Sequence, residues 1–237
     1  MAAGGFVGRA DELARTLDAI ARDGGAVVAG RRGSGRTRLL AEAIDRLDAR
    51  RWRAVSVTGT RELHTVRFGA LASLLPIDDA GEDVDRFTAV ATAIRRGGDD
   101  RVVLAVDDAH LLDDRSVAVL RYLLDRGDVA LLLSVRADEP VADAIATLWE
   151  SGRFERIELH PLGHLDVGLL VQQLSDRPFH PATVRWVWSM SGGNPRVASE
   201  IVLDGLDHGG FVERRGRWRR SSRAAMTGPR VRALVAD

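Results

Sequence analysis

The sequence contains no cysteine and no lysine. Without cysteine there are no disulfides and no thiolate metal ligands to consider. Without lysine, all 34 basic residues are arginine, a planar, forked cation that is always charged. Long apolar runs are also missing. VVLAV (102–106) and VALLLSV (129–135) are typical of what is present, far short of the ~18 residues a membrane span needs. No basic segment followed by an apolar stretch opens the chain, so no signal peptide is apparent. Net charge is absent too, because 34 acidic residues balance the arginines. Bulk electrostatics therefore favour neither nucleic acid nor membrane as a partner, and a cytoplasmic protein is expected.

What the chain does have is 237 residues, 45% hydrophobic and 29% charged. That length and balance support a sizeable buried core rather than disorder. Apolar residues at helical spacing (Leu13, Leu17, Ile20) predict a helix over Arg9–Asp23, stopped by Gly24 and Gly25. AVVAG (26–30) reads as a buried parallel strand, and Arg36–Arg51 as the helix after a glycine-rich turn. The same reading places strands at 52–59, 102–108, 129–136 and 154–159. It places helices around 66–75 and at 83–96, 116–126 and 141–151, with Gly97 and Gly98 ending the second of these. Strands alternating with helices imply βαβ crossovers and a mainly parallel five-stranded sheet covered on both faces. After Pro161 three helical stretches (165–175, 181–191, 195–206) follow without a strand, and then a short hairpin over 211–220 with Gly216 at its turn. The expected division is an α/β core over 1–160, a helical subdomain over 161–207, and the start of a further region over 208–237. A hairpin so near the end reads as a piece cut from a longer protein.

GRRGSGRT (30–37) matches the phosphate-loop pattern G-x-x-x-x-G-K-[ST], except that Arg36 stands at the lysine. It follows a buried strand and opens a helix, as that pattern requires. Gly30, Gly33 and Gly35 allow the backbone to wrap phosphates and turn its N–H groups inward. The helix beginning near Arg36 adds its positive end, and Thr37 can place a hydroxyl on magnesium. VVLAVDD (102–108) is an apolar strand ending in two acids. Asp107 is the expected magnesium ligand, and Asp108 the group that orients or deprotonates the attacking water. These two acids could instead cap the turn beyond the strand. Arg136, just past the fourth strand, is placed to contact a γ-phosphate if that strand lies between the two motif strands, a bidentate role for a guanidinium; the plainer alternative is a solvated arginine at a strand end.

Together these residues resemble STAND-type P-loop NTPases, in particular the N-terminal AAA-like ATPase domain of large LuxR-family transcriptional regulators. FVGRADEL (6–13) is similar to that group's opening sequence, and the resemblance implies that Phe6, Val7 and Arg9 lie against the adenine. Loop residues Ser34, Arg36, Thr37 and Arg38, the VDDAHLLDDRS stretch (106–116) and LLLSVRADEP (131–140) fit in order, as does RFGALASLLP (67–76). SGGNPRVASEIV (191–202) is similar to the G-N-P motif of the family's helical lid, where Pro195 would pack near the adenine. FVERRGRW (211–218) resembles the hairpin that opens a winged-helix-like region. The resemblance implies ATP or ADP with Mg2+ bound between core and lid. It further implies a switch read by C-terminal regulatory and DNA-binding regions of a longer parent chain. Self-association is left open.

Other features carry less. ERRGRWRR (213–220), with Arg223 beyond, is the most basic stretch, but arginine is scattered widely and a solvated hairpin anchored by Trp218 is expected. No direct DNA binding is expected from residues 1–237. Trp186 and Trp188 lie two apart and so do not share a helix face. His110 is expected to be a loop histidine satisfied by backbone, and no histidine pair has metal-site spacing. Arg36 should spare nucleotide binding, which draws on backbone N–H groups and magnesium. It should impair hydrolysis, because a guanidinium cannot sit as a compact point charge between β- and γ-phosphates. The expected function is therefore an ATP/ADP-binding regulatory switch with slow or impaired hydrolysis. The alternatives are a competent oligomeric ATPase and a nucleotide-free scaffold.

Overall fold

The computed structural model describes residues 6–22, 24–75, 83–95, 101–127, 129–141, 143–149 and 154–221. Two compact units divide the chain. One holds residues 11–32 and 36–159; the other holds 1–10, 33–35 and 160–237.

The first unit is an α/β sandwich. Helix α1 (Ala10–Ala21) leads to strand β1 (Gly25–Gly30), helix α2 (Arg36–Arg46) and strand β2 (Trp52–Thr58). Helix α3 (Asp83–Arg95) precedes β3 (Arg101–Asp107), and α4 (Asp114–Asp125) precedes β4 (Val129–Arg136). Helix α5 (Asp143–Trp149) and β5 (Phe154–Leu159) complete it. All pairings in the sheet are parallel, and the order is β2-β3-β4-β1-β5. Strand β4 thus lies between β1 and β3, and this puts Arg136 in register beside Gly30.

The central strands are apolar on both faces because helices cover both. β1 is buried throughout and β4 is buried up to Val135. Leu104, Leu120, Leu123, Leu131 and Leu133 are fully buried in one cluster, each stabilising the fold by about 2 kcal/mol relative to exposure. Asp113 organises the next layer. One of its oxygens accepts from the N–H groups of Arg115 and Ser116 as the cap of α4, and also from Phe68 N–H at 2.9 Å. Phe68 is held in the left-handed region at φ 56° and is almost wholly buried.

That anchor explains one difference from the sequence reading. The segment expected to be a helix around 66–75 is a series of turns followed by a short 3-10 segment, Gly69–Leu74. Helix α2 also ends at Arg46 rather than Arg51, where Asp48 instead accepts the N–H groups of Arg51 and Trp52 to turn the chain into β2. Pro76, Gly97, Gly98, Ser151 and Arg223 lie outside the described residues.

The second unit is built on α6 (His164–Gln172), α7 (Pro181–Ser191) and α8 (Pro195–Asp207). Helix α7 begins with Pro181 behind His180 and ends at Gly192, whose φ of 57° closes the helix in the left-handed conformation. Helix α8 is capped by Asn194, which accepts from Arg196 and Val197 N–H, with Pro195 in the first turn. Hairpin strands β6 (Phe211–Arg214) and β7 (Arg217–Arg220) are joined by Arg215 and Gly216, both at positive φ, the conformation a tight two-residue turn demands. Phe211 and Trp218 pack into the same cluster as the three helices. A Cβ on Gly205 would lie 2.4 Å from the Phe211 ring, so only glycine admits the hairpin at that contact. Among the described residues no helix is long and apolar enough to cross a membrane.

Candidate functional site

The phosphate loop runs from the end of β1 into α2. Gly33 and Gly35 take φ values of 78° and 98°, which the loop's reversal requires and which L side chains adopt only with strain. A Cβ on Gly33 would also lie 2.8 Å from Asn194 Oδ1. Gly33 O accepts a hydrogen bond from Arg196 N–H at 3.3 Å, so the Asn194–Pro195–Arg196 turn packs against the middle of the loop. Ser34 is buried, and its hydroxyl has no hydrogen-bond partner among the described residues. Gly30 O accepts from Ala137 N–H at 3.1 Å, tying the loop's first residue to the chain beyond β4.

Beyond the loop, the acids of β3 meet the first turn of α2. Thr37 donates its hydroxyl to Asp107 Oδ2 at 2.6 Å. The other oxygen, Oδ1, accepts from the Ser134 hydroxyl, and Ser134 Oγ in turn accepts from Asp108 N–H at 2.9 Å. A threonine hydroxyl beside a carboxylate is a hard-oxygen donor pair of the kind a magnesium ion takes, with water filling the remaining positions. Among the described residues no group of three or more His, Cys, Asp or Glu could hold a metal.

Asp108 is a non-glycine residue in the left-handed region, at φ 48° and ψ 47°. Conformations of this kind cluster where a chain positions functional groups. No capping bond is made by its side chain; Asp113, not Asp107 or Asp108, is the acid that caps the following helix. Instead Asp108 Oδ1 lies 3.0 Å from Arg36 Nη2, an ion pair with the arginine nine-tenths buried. The other terminal nitrogen, Arg36 Nη1, is buried without a hydrogen-bond partner among the described residues. A buried cationic donor left in that condition is a place for an anion's oxygen.

A second charged group surrounds Arg136. Its guanidinium makes a forked contact with Asp138, at 3.3 and 3.1 Å, and pairs with Glu139 as well. The Asp138 hydrogen bond raises the Arg136 pKa above its ordinary value, and the same bond lowers that of Asp138. Glu139 also takes Arg61 at 2.9 Å and faces His110 Nε2 at 3.2 Å. His110 is not satisfied by backbone, as the sequence suggested. It is buried, with its Nδ1 side 3.9 Å from Asp108 Oδ1. Burial pushes its pKa down, against the pull of Asp108 and Glu139.

The site residues named from sequence divide between the two units. Gly30, Arg36, Thr37, Arg38, Asp107, Asp108 and Arg136 belong to the α/β unit. Within it Thr37 meets Asp107 and Arg36 meets Asp108. Arg38 instead points along α2 to Glu42 at 3.3 Å. Phe6, Val7, Arg9, Gly33, Ser34, Gly35 and Pro195 belong to the helical unit. There Gly8 is packed on Asp166 and Leu162, and Arg9 donates to His160 O. Ser134 and Glu139 carried no sequence signal beyond their closeness to Arg136.

A family model described as an AAA domain matches residues 20–139, half of the chain, and spans the phosphate loop, both acids of β3 and Arg136. The chain belongs to this AAA domain family. No curated protein matches the sequence significantly. Among solved structures, the Aeropyrum pernix ORC1 protein, in complex with DNA, is similar with a TM-score of 0.64 at 15% identity. It covers 98% of this chain and 66% of its own. The Saccharomyces cerevisiae Hsp104–ADP complex has a TM-score of 0.59 at 18% identity, covering 84% of this chain and 30% of the other. A lysine-to-arginine mutant of Thermotoga maritima RuvB follows at 0.55 and 17%, covering 85% and 63%. At these identities the likeness establishes the fold of an AAA-type P-loop core. The chain spans between about a third and two-thirds of the structures it matches.

Proposed function

We propose that this AAA domain is an ATP/ADP-binding switch with slow hydrolysis. In this reading it serves as the N-terminal module of a cytoplasmic STAND-type regulator of the LuxR kind, read by C-terminal regulatory and DNA-binding regions of a longer chain. The observation that carries the slow-hydrolysis part is the Arg36–Asp108 ion pair at 3.0 Å. The loop cation and the acid meant to act on water neutralise one another.

Binding has separate support. The glycine-rich turn presents backbone N–H groups, Arg36 Nη1 and the Ser34 hydroxyl lack partners, and Thr37 with Asp107 forms the hard-oxygen pair. A phosphate chain would draw on all of these, and bound Mg2+ would supply charge neutralisation across its oxygens. Phe6, Val7, Arg9 and Pro195 are assigned to the base, and Gly30, Gly33, Gly35 and Arg38 to the loop that frames the phosphates.

Asp108 then has two demands on it. To accept a proton from water its carboxylate must leave Arg36 or share it. Arg136 faces the same choice, because contact with a γ-phosphate competes with its present hold on Asp138 and Glu139. A nucleotide that must break such pairs reacts slowly and distinguishes ATP from ADP, which is what a switch needs.

Titration of the protein with ATP and ADP, with Mg2+ and with chelator, tests the reading. Micromolar, Mg2+-dependent binding with turnover below about one per minute fits a slow switch, against the 1–10³ s⁻¹ of ordinary enzymes. Absence of binding leaves only a scaffold. Fast turnover that rises with protein concentration replaces the switch by an oligomeric motor.

A further inference from the structure

The β6–β7 hairpin presents a face the switch does not use. Its register pairs Arg214 with Arg217 and Val212 with Arg219 on one side, and Glu213 with Trp218 and Phe211 with Arg220 on the other. The second side is turned to the helical unit. Phe211 meets Phe179 edge to face at 5.2 Å, Trp218 packs into the same cluster, and Arg220 lies over the Trp186 ring at 5.2 Å. The first side is left with Arg214, Arg217 and Arg219, all exposed, and Arg215 stands at the turn. None of these four has an acidic partner among the described residues. Arg15, Arg22, Arg36, Arg61, Arg67 and Arg136 are each paired with a carboxylate. Arg50, Arg51 and Arg185 have no ion pair among the described residues either, but only the hairpin gathers four such guanidiniums within residues 214–219.

The charge acts on its surroundings. His180, at the base of the hairpin, has its pKa lowered first by desolvation and then by Arg219, Arg217 and Arg185. Arg185 on α7 therefore adds to the same field. We propose that this outward face binds the phosphate backbone of double-stranded nucleic acid, independently of base sequence and of nucleotide in the phosphate loop.

Three features select this partner. Unpaired guanidiniums complement phosphates and gain bidentate contacts there. A two-stranded ribbon is of a width that the major groove, about 12 Å across, admits. The aromatic residue that single-stranded binding would need for base stacking is turned inward, with Arg177 over its ring at 6.0 Å. A lipid surface is a poorer match, because Val212 is the one apolar side chain on that face and interfacial binding rests on buried apolar area. The sequence reading expected a solvated hairpin because arginine is scattered widely; the gathering of four unpaired arginines at this hairpin is what the proposal sets against that expectation.

Fluorescence anisotropy with a labelled duplex of mixed sequence tests the proposal on the 237-residue chain. Three to four phosphate contacts predict a salt slope of about −3, a loss of roughly 60-fold between 50 and 200 mM salt. A triple variant (Arg214→Ala, Arg217→Ala, Arg219→Ala) is expected to lose at least tenfold in affinity at 50 mM salt, as is its glutamine counterpart should alanine loosen the hairpin. A control removing equal charge from paired positions (Arg46→Ala, Arg121→Ala, Arg156→Ala) is expected to stay within twofold of the parent. Equal loss in the two sets reduces the effect to net charge and overturns the proposal. So does no binding at 50 mM salt, and so does tighter binding to phosphatidylserine-containing vesicles than to the duplex.

Discussion

Arg36 Nη2 lies 3.0 Å from Asp108 Oδ1, so the cation of the phosphate loop is already neutralised by the acid at the end of β3. Lysine at the same position would be a compact charge on a narrower stem, better able to leave that acid free. For Arg36→Lys, nucleotide affinity is expected to stay within about threefold while phosphate release rises by about tenfold or more, the gain from placing charge on the transferring group rather than on a neighbouring carboxylate. Single-turnover phosphate release beside a binding titration measures both. Unchanged release in the variant means the ion pair is not what limits hydrolysis.

Ser134 is fully buried and serves two neighbours at once, Asp107 Oδ1 and Asp108 N–H. Ser134→Ala removes one hydrogen bond from each of these part-buried groups, which keep their bond to one another at 3.1 Å, at a cost of about 1 kcal/mol seen as a lower midpoint in urea. Thr37→Ala removes a more exposed hydroxyl and is expected to leave that midpoint nearly unchanged while abolishing most of the Mg2+ dependence of nucleotide affinity. If both variants lose stability equally, Thr37 is acting as a structural bond to Asp107.

Glu139 is shared by Arg136, Arg61 and His110. Neutralising it in Glu139→Gln weakens the hold on Arg136 and should favour ATP over ADP by on the order of fivefold, the low end of typical coupling between sites. The ratio of the two dissociation constants, with Mg2+ present throughout, decides it. A ratio equal to that of the parent shows that Arg136 takes no part in reading the third phosphate.

His110 has its pKa lowered in the folded protein, chiefly by burial. The unfolded chain then holds more protons than the folded one between that depressed value and the ordinary ~6.5 of histidine. Stability from this group is complete above ~6.5 and is lost as pH falls through the interval. Denaturant midpoints from pH 7.5 down to 5 should therefore decline more steeply in the parent than in His110→Gln. Parallel declines would assign the loss to other groups.

Much of this architecture is written in local pattern. The apolar runs of β1, β3 and β4 and the glycine and acid signals at their ends are set by residues within a few positions of one another. Arg136 follows from counting strands, because an inserted β4 brings its end beside Gly30. The segment before Leu75 shows what local pattern misses: its apolar spacing suits a helix, but Phe68 N–H is captured by Asp113, 45 residues away, and the chain turns instead. His110 was misread for the same reason. One carboxylate that faces it, Asp108, is two residues away, but the nearer one, Glu139, is brought by folding from beyond β4, and no spacing near residue 110 announces it. Arg36 was legible as an anomaly, but its ion pair with Asp108 needed the β3–α2 packing.

Of the five tryptophans, Trp186, Trp188 and Trp218 sit in the helical unit. Trp186 and Trp218 pack against its core, and the Trp188 indole donates to Leu162 O. The others are at the start of β2 and the end of α5, away from the loop and from the ends of β3 and β4. The molecule thus carries a built-in optical probe weighted toward one half. A change in emission on adding ATP would therefore be read chiefly from the helical unit, without any dye or engineered label.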